Sequence, residues 1–309
     1  MANSNSKSGF PDSFNWLSDY FFPETISSTC AYTPYLLSLH SRAQFKREVV
    51  ARSIYDQSLH EKLSFSSEEY TFSSLWHGSD ASSSLIWQYD KSDGVFRSLH
   101  TIYRSLAANQ RAILECLSLY ARSVENPELL RILVAEPFSS LALEIRGRYP
   151  YALSTCYSPA NEDAFWPIPH IDLQNIAIPN ARFNVVVSCE VLEHIPDYRA
   201  SLREVCRILL VGGVYLFTCP FYWNQADVTT RASLLSTGEV IHHLNPPEYH
   251  GDPLRPEEGA LVFHSFGWNI LDEIQRAGFS SSSCCFISNP KAGIIGQHIS
   301  GCFVFIARK

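Results

Sequence analysis

The alternation of apolar and polar residues is most regular in the second part of the chain. From Leu129 onward, short apolar runs alternate with helix-length segments, which is typical of parallel βαβ units. One helix is predicted between Pro196-Asp197 and a Gly212-Gly213 stop, and another from about Trp268 to Ala277. The predicted strands cover residues 130–135, 152–156, 183–188, 214–219, 284–288 and 302–307. The pattern therefore favours an α/β fold, doubly wound around a mostly parallel sheet.

Ahead of residue 126 the pattern predicts helices rather than strands. Residues 1–33 carry scattered aromatic side chains without sustained periodicity, which indicates an irregular arm that docks on this chain or on a second copy. Residues 41–63 fit an amphipathic helix moderately well, and an apolar stripe predicts a long helix over 94–123. We therefore predict an arm and helical extension over 1–125, serving as a lid or dimerisation region, and a second domain over 126–309.

The composition and the charge exclude two broad classes of protein. Of the 309 residues, 46% are hydrophobic and 18% are charged, a composition that excludes intrinsic disorder. Lys and Arg number 24 against 31 Asp and Glu, which gives a formal net charge of -7. Because there is no basic excess to hold a phosphate backbone, nucleic acid is not an expected partner.

The cysteines and the apolar stretches predict a cytoplasmic protein. The nine cysteines include no Cys-x-x-Cys pair, so most are expected to be reduced, buried thiols. Residues 1–10 are polar and lack the apolar core of a secretory signal. The longest apolar stretch, 208–223, is interrupted by glycine and proline and falls short of the roughly 20 residues of a membrane helix. We therefore expect no membrane partner.

One segment resembles a known family. Residues 183–221 read FNVVVSCEVLEHIPDYRASLREVCRILLVGGVYLFTCPF. The apolar strand, the Glu-Val-Leu-Glu-His-Ile run, the Pro-Asp helix start, the Gly-Gly pair and the Thr-x-Pro ending resemble the region after strand four of class I S-adenosylmethionine-dependent methyltransferases of the type 11-like group. Asp172 followed by residues 176–179 is similar to a loop of that family, and residues 246–251 resemble a later part. The resemblance covers about residues 129–309.

The resemblance implies a Rossmann-like, doubly wound, mostly parallel seven-stranded sheet with an N-terminal helical extension. S-adenosylmethionine would bind as methyl donor, leaving S-adenosylhomocysteine as product, in the crevice beyond the carboxyl ends of the strands. Asp172, after a third strand, would accept a hydrogen bond from adenine or else only cap a turn. Glu190 would pair with the methionine ammonium or else only begin a helix. The full set of implied cofactor-binding residues is Ala135, Glu136, Pro137, Cys156, Tyr157, Asp172, Leu173, Cys189 and Glu190.

Two positions depart from the family pattern. Residues 131–140 contain no glycine, whereas the family has a Gly-x-Gly turn there. Ala135-Glu136-Pro137 resembles a shortened Ala-Pro-Glu-Pro version of that turn, with Glu136 as the candidate acid. Cys156 stands where the family has an acidic residue for the ribose hydroxyls, and a thiol is a poor substitute for a bidentate carboxylate.

Histidines supply the candidate acceptor-side residues. His194 and His250 are the predicted catalytic residues, although His194 is a general base in one interpretation and a loop-orienting residue in the other. The insertion 221–260 is predicted to cover the acceptor pocket, with His242, His243, Tyr249, His250 and Tyr222 as substrate-binding residues. The spacing of the histidines in the insertion matches no recognised ligand pattern, so no metal is predicted.

Two functions from different classes follow. The first is methyl transfer from S-adenosylmethionine to an O, N or C atom of a small-molecule acceptor, with natural-product biosynthesis as a setting. The alternative keeps the fold without methyl transfer, either as a non-catalytic binding or scaffold protein or as a cyclase or isomerase that uses the same pocket. A homodimer through the N-terminal helical region is possible in either case.

Overall fold

A seven-stranded mixed sheet forms the centre of the computed structural model. The structure describes residues 35–50, 69–71, 84–86, 88–90, 95–97, 106–157, 167–252, 256–289, 292–294 and 301–309. The sheet strands are β1 (Tyr35–Leu39), β2 (Ile132–Val134), β3 (Ala152–Ser154), β4 (Phe183–Cys189), β5 (Leu209–Thr218), β6 (Ser281–Ser288) and β7 (Cys302–Arg308). Their order is β1-β6-β7-β5-β4-β2-β3. Strands β2 to β5 are parallel, and the other three pair antiparallel.

Helices cover both faces of this sheet. They are α1 (Arg42–Val50), α2 (Ala108–Arg122), α3 (Ser140–Arg148), α4 (Tyr198–Ile208) and α5 (Ile270–Arg276). Side chains alternate along each strand, so Ile132 and Val134 pack with α2 and α3. Leu133 packs on the opposite face, in the cluster that contains residues of α1, α4 and α5. The described helices on both faces confirm the Rossmann-like, doubly wound α/β fold, and none of them is long and apolar enough to span a membrane.

The chain segments that form the seven strands differ from the predicted ones. No strand forms near Asp172, where the chain makes one parallel bridge between Cys156 and His170 and then turns. The seventh strand is β1, which pairs with β6 from Tyr35↔Ser288 to Leu39↔Cys284. Because β1 and β6 are far apart in sequence, their pairing leaves no local pattern to read.

Two helix predictions need correction. The helix predicted over 94–123 begins only at Ala108, where the Gln110 side chain accepts a hydrogen bond from the Ala107 amide, and residues 95–97 form a strand paired with 88–90. The helix predicted over 41–63 is described over 42–50 as α1, and its remainder and the predicted arm over 1–33 lie outside the described residues.

The glycine pair at 212–213 was predicted to stop a helix but lies inside a strand. Helix α4 begins as predicted, with the Asp197 carboxylate accepting from the Ala200 amide, but it ends at Ile208 and runs directly into β5. A Cβ on Gly213 would lie 2.8 Å from the Asn184 carbonyl oxygen, and Gly212 has a positive φ of 79°. The glycines thus allow β5 to approach β4 closely where the register of the pair shifts.

The insertion after β5 folds into short antiparallel pairs. Residues 229–230 pair with 264–265, 232–234 with 240–242, and 249–250 with 260–261. The Phe263 amide donates to the Glu193 carbonyl at 2.8 Å. This contact fixes the insertion next to the short 3-10 turn Leu192–His194 that follows β4.

Candidate functional site

The chain changes direction in the sheet between β2 and β4. From β2 it proceeds to β3 at one edge, whereas from β4 it proceeds to β5 on the other side. In open α/β sheets such a switch point opens a crevice beyond the carboxyl ends of the strands. The Ala135 amide, just after β2, donates to the Val187 carbonyl of β4 at 2.9 Å. The predicted residues after these two strands are therefore neighbours.

Glu136 is a half-buried acid at this switch point, with its Oε1 atom shielded from solvent. Burial raises its pKa to about 7, although hydrogen bonds from Ser139 and from the Cys189 backbone act in the opposite direction. Among the described residues, no partner is within hydrogen-bonding reach of its Oε1 atom. Glu136 therefore offers a free carboxyl oxygen to a ligand in the crevice.

The turn that carries Glu136 is formed without glycine. Outside glycine, only Ala181 and Glu190 among the described residues have a positive φ, so the backbone of 135–139 needs no left-handed residue. The Ser139 hydroxyl accepts from the Ala142 amide at 3.1 Å and caps α3. The glycine-free sequence is thus compatible with a strand-turn-helix connection at this place.

Glu190 lies opposite, at the end of β4. Its φ of 53° is unusual for a residue with a side chain, and its amide donates to the Thr218 carbonyl at 3.1 Å. Burial, followed by the charge of Glu193, raises the pKa of Glu190 to about 7. Asn109 of α2 donates through Nδ2 to Glu190 Oε1 at 3.4 Å. No sequence pattern pointed to Asn109, since it lies far upstream and outside any motif.

Cys189 lies between the two acids and is not a nucleophile. The Thr218 hydroxyl donates to its sulfur at 3.3 Å. Burial, and next the charge of Glu136, hold the pKa of Cys189 well above its ordinary value. A thiol that stays protonated has little nucleophilic character, so Cys189 lines the crevice by packing.

The side chains predicted for the adenosine end are largely engaged within their own loop. The Cys156 thiol is buried and faces the carbonyl oxygens of Ile168 and Pro169, at 3.8 and 3.7 Å. Asp172 accepts from the Gln174 amide at 2.8 Å and from its side-chain nitrogen at 3.2 Å. Leu173 is 6% exposed and packs in the core, whereas Tyr157 is 50% exposed. The turn-capping interpretation of Asp172 thus accounts for its observed contacts.

The rings of the two candidate catalytic histidines, His194 and His250, are in contact. The rings of His194 and His250 are perpendicular, with centroids 5.2 Å apart. His194 donates from Nδ1 to the Leu261 carbonyl at 2.8 Å, and burial lowers its pKa. The neighbouring Glu193 raises the pKa of His250. His194 is therefore a neutral ring with a free lone pair on Nε2.

Glu193 contacts both histidine rings. Its side chain is fully buried, and burial raises its pKa. Its Oε1 is 3.5 Å from His194 Nε2 and 3.5 Å from His250 Nδ1. The sequence places Glu193 within the family-like run, but its role was not predicted, because only the fold brings His250 to it.

The remaining predicted substrate-binding residues lie at the surface of the insertion. His242 and His243 are exposed, and His243 Nε2 is 2.8 Å from the Ser233 hydroxyl. Tyr249 is 55% and Tyr222 39% exposed. His250 is thus the member of this set that the structure brings next to His194.

The strand order, the switch point and the acid-lined crevice define a Rossmann-like protein. Residues 149–217 match the family model described as a methyltransferase domain. A curated relative from Mycolicibacterium smegmatis, named a probable S-adenosylmethionine-dependent methyltransferase, is 27% identical over 129 residues. The alignment covers 40% of this chain and 45% of the relative, so the chain spans less than half of that relative's length. These two matches confirm that this part of the chain resembles S-adenosylmethionine-dependent methyltransferases, as the sequence motifs indicated.

Solved structures with similarity to the chain include two methyltransferases. One, an S-adenosylmethionine-dependent methyltransferase from Mesorhizobium loti, is 16% identical, with 58% of this chain and 91% of that chain covered and a TM-score of 0.36. The trans-methyltransferase CalH, solved with S-adenosylhomocysteine, is 12% identical, with 65% and 57% covered and a TM-score of 0.36. Since the sequence identities and the TM-scores are low, the fold assignment rests on the strand order and the packing of the helices.

Proposed function

We propose that the chain transfers a methyl group from S-adenosylmethionine to an oxygen, nitrogen or carbon atom of a small-molecule acceptor, as in natural-product biosynthesis. One observation carries the proposal. Glu136 and Glu190 lie half-buried after adjacent parallel strands, where desolvation raises the pKa of each carboxyl to about 7. Two carboxyl groups with raised pKa values are suited to a cationic ligand, because a positive charge nearby favours their ionised form.

The methionine end of S-adenosylmethionine fits this half of the crevice. Its ammonium group can donate to the free Oε1 of Glu136 and to Glu190, which removes the cost of burying unpaired carboxyl oxygens. Ala135, Pro137 and Cys189 would pack around the same end. The ligand supplies an electrophilic methyl group on a cationic sulfur, while the chain supplies position and charge.

The adenosine end would be held mainly by backbone and packing. Cys156 and Asp172 are engaged by their own loop, so we assign them, with Tyr157 and Leu173, to shape and backbone contacts rather than to charged ones. An exocyclic amine of adenine can still share the Asp172 carboxylate with Gln174, since a carboxylate has about four lone-pair sites.

The acceptor would bind between the crevice and the insertion 221–260. His194 follows Glu190 by four residues, and the charge of His250 partly opposes the rise that burial causes in the pKa of Glu190. The neutral His194 ring can accept a proton on Nε2. His242, His243, Tyr249 and Tyr222 are exposed on the insertion and would contribute to acceptor recognition. Alignment of the acceptor with the methyl group would supply much of the rate.

A second function is favoured by the same loop contacts. A binding protein, or a cyclase or isomerase with this fold, would not need acids that hold the ribose hydroxyls. Cys156 stands at that position, and its thiol faces carbonyl oxygens of the chain. Here the crevice would bind a cationic or amphipathic ligand without methyl transfer.

Titration calorimetry with S-adenosylhomocysteine tests the first step of the proposal. We expect binding, and we expect methylthioadenosine, which lacks the ammonium and carboxylate of methionine, to bind about 100-fold more weakly because it loses charge-assisted hydrogen bonds. No detectable heat at millimolar S-adenosylhomocysteine would exclude the proposed donor.

Turnover separates the two functions. Offered S-adenosylmethionine and a panel of phenols, carboxylic acids and amines, the protein should form S-adenosylhomocysteine faster with at least one acceptor than without any. Tight donor binding without turnover on the panel would favour the non-methylating alternative.

A further inference from the structure

A cluster of three ligand-type side chains lies beyond the acids of the crevice. One oxygen of Glu193 and one ring nitrogen each of His194 and His250 all lie within 4.8 Å of one another. We propose that these three residues bind a divalent transition-metal ion of the Zn²⁺ or Mn²⁺ class. The proposal does not require methyl transfer, although an ion bound here would occupy the His194 Nε2 lone pair that the proposed function uses to accept a proton.

Glu193 is the strongest reason to place an ion here. Its side chain is 0% exposed, and neither carboxylate oxygen has a hydrogen bond of good geometry among the described residues, since its contacts with the ring nitrogens of His194 and His250 are each 3.5 Å long. Burying a carboxylate with so few donors is costly unless a proton or a cation compensates it, and an ion held between the three side chains would do so. The atoms that face it, ring nitrogens of two histidines, are lone-pair donors for a metal.

The distances fit a shared ion. Glu193 Oε1 lies 3.5 Å from His194 Nε2 and 3.5 Å from His250 Nδ1. Two ligand atoms that each lie about 2.1 Å from one tetrahedral ion are about 3.4 Å apart. These contacts are long for hydrogen bonds, but they are close to the separation of atoms that ligate the same metal.

Both histidines are oriented as metal ligands usually are. His194 donates from Nδ1 to the Leu261 carbonyl at 2.8 Å, which leaves the Nε2 lone pair toward Glu193. The Nε2 of His250 lies 3.1 Å from Glu248 Oε1, which leaves Nδ1 toward Glu193. Glu248 is itself held by Arg231 at 2.7 Å. Such contacts to the second ring nitrogen fix the tautomer and raise the basicity of the ligating nitrogen.

The ligand set indicates the kind of ion. Two imidazoles and one carboxylate suit Zn²⁺, Mn²⁺ and Fe²⁺ better than Ca²⁺ or Mg²⁺, which prefer oxygen ligands. Three protein ligands leave at least one coordination position open beside the crevice. In this arrangement His194 holds the ion rather than acting as the base. The sequence prediction of no metal compared histidines of the insertion with one another and did not include Glu193.

Metal content and affinity test the proposal directly. Protein stripped with a chelator and then titrated with Mn²⁺ or Zn²⁺ should bind one ion per chain, by calorimetry and by elemental analysis after desalting. Glu193→Gln, His194→Ala and His250→Ala should each weaken binding at least about 100-fold, whereas Glu248→Ala, which only orients His250, should weaken it about 10- to 100-fold.

Matched controls keep the result decisive. His40→Ala removes an exposed histidine of the same chain whose ring contacts Ser282 instead, and its metal affinity should equal that of the wild type. Cobalt substitution adds a spectroscopic readout, because the visible bands of bound Co²⁺ should disappear in His250→Ala and persist in His40→Ala, with circular dichroism of the same samples showing that both variants are folded. Stoichiometry well below one, or equal affinity in all variants, would overturn the proposal.

Discussion

The two ends of the proposed donor crevice are built in different ways. At the β2–β4 end, Glu136 and Glu190 are half-buried acids with raised pKa values, and one oxygen of Glu136 has no hydrogen-bond partner among the described residues. At the other end, the Asp172 carboxylate is bound by Gln174 and the Cys156 thiol faces its own loop. The end at β2 and β4 therefore offers carboxyl groups to a ligand, whereas the polar side chains at the other end are already bonded within their own loop.

The difference follows from the strands on which each end is built. The acids follow β2 and β4, which pair directly in the middle of the sheet. The opposite end follows β3, an edge strand, and no further strand forms beyond it in the described chain. Without that strand, the loop satisfies its polar groups by local turns. We infer that the methionine end contributes most of the affinity for the donor.

The largest expected effect is that of Glu190→Gln. This change removes the charge but keeps the shape, so affinity for S-adenosylhomocysteine should fall about 30-fold, which is the loss of one charge-assisted hydrogen bond of about 2 kcal/mol. Calorimetry measures the change. Glu128→Gln, an exposed residue ahead of the amino end of β2, is the matched control and should bind as the wild type does. Equal affinities for both variants would contradict the assignment of charge to this end.

A smaller effect is expected from pH. The folded pKa of Glu136 is about 7 against an ordinary value of 4.5, so the folded state retains a proton that the unfolded state has lost. Stability of the free protein should therefore fall as pH rises from about 4.5 to about 7, by roughly 1–3 kcal/mol for this group. Urea denaturation at pH 5 and pH 8 measures this. In Glu136→Gln the fall should be smaller, and an unchanged pH dependence would show that the carboxyl is not buried as described.

The smallest effect on affinity is expected from Asp172→Ala. The change should lower stability by about 1 kcal/mol, through loss of the turn contact to Gln174, and lower donor affinity less than about threefold. Thermal denaturation and calorimetry on the same sample distinguish the two. A tenfold or larger loss of affinity would mean that both ends contribute charge.

Much of the sheet could be predicted from local pattern. The apolar runs that became β2 to β7 are short, and each is bounded by turn residues or a helix. Strand β1 was not predicted, because its pairing with β6 depends on contacts between residues far apart in sequence. Gly212 and Gly213 were misread because a glycine pair signals both a helix end and a close strand approach, and only the Asn184 carbonyl decides between them.

The candidate site was predictable only where the chain itself brings residues together. Cys189 ends strand β4 and Glu190 follows it directly, so a sequence pattern can place them. Asn109 and His250 reach Glu190 and Glu193 from distant parts of the chain, through packing of α2 and pairing of 249–250 with 260–261. The raised pKa values also depend on burial that no local pattern encodes.

Asn109 also bears on how this chain relates to its relatives. The family match covers only residues 149–217, yet the Asn109 side chain of α2 donates a hydrogen bond to Glu190 at the end of β4. A descendant that altered only helix α2 could change the charge state of Glu190 while its matched segment stayed identical. The matched segment contains Glu190 but neither β2 with Glu136 nor α2 with Asn109, so the chemistry of the crevice can diverge without any change in that segment.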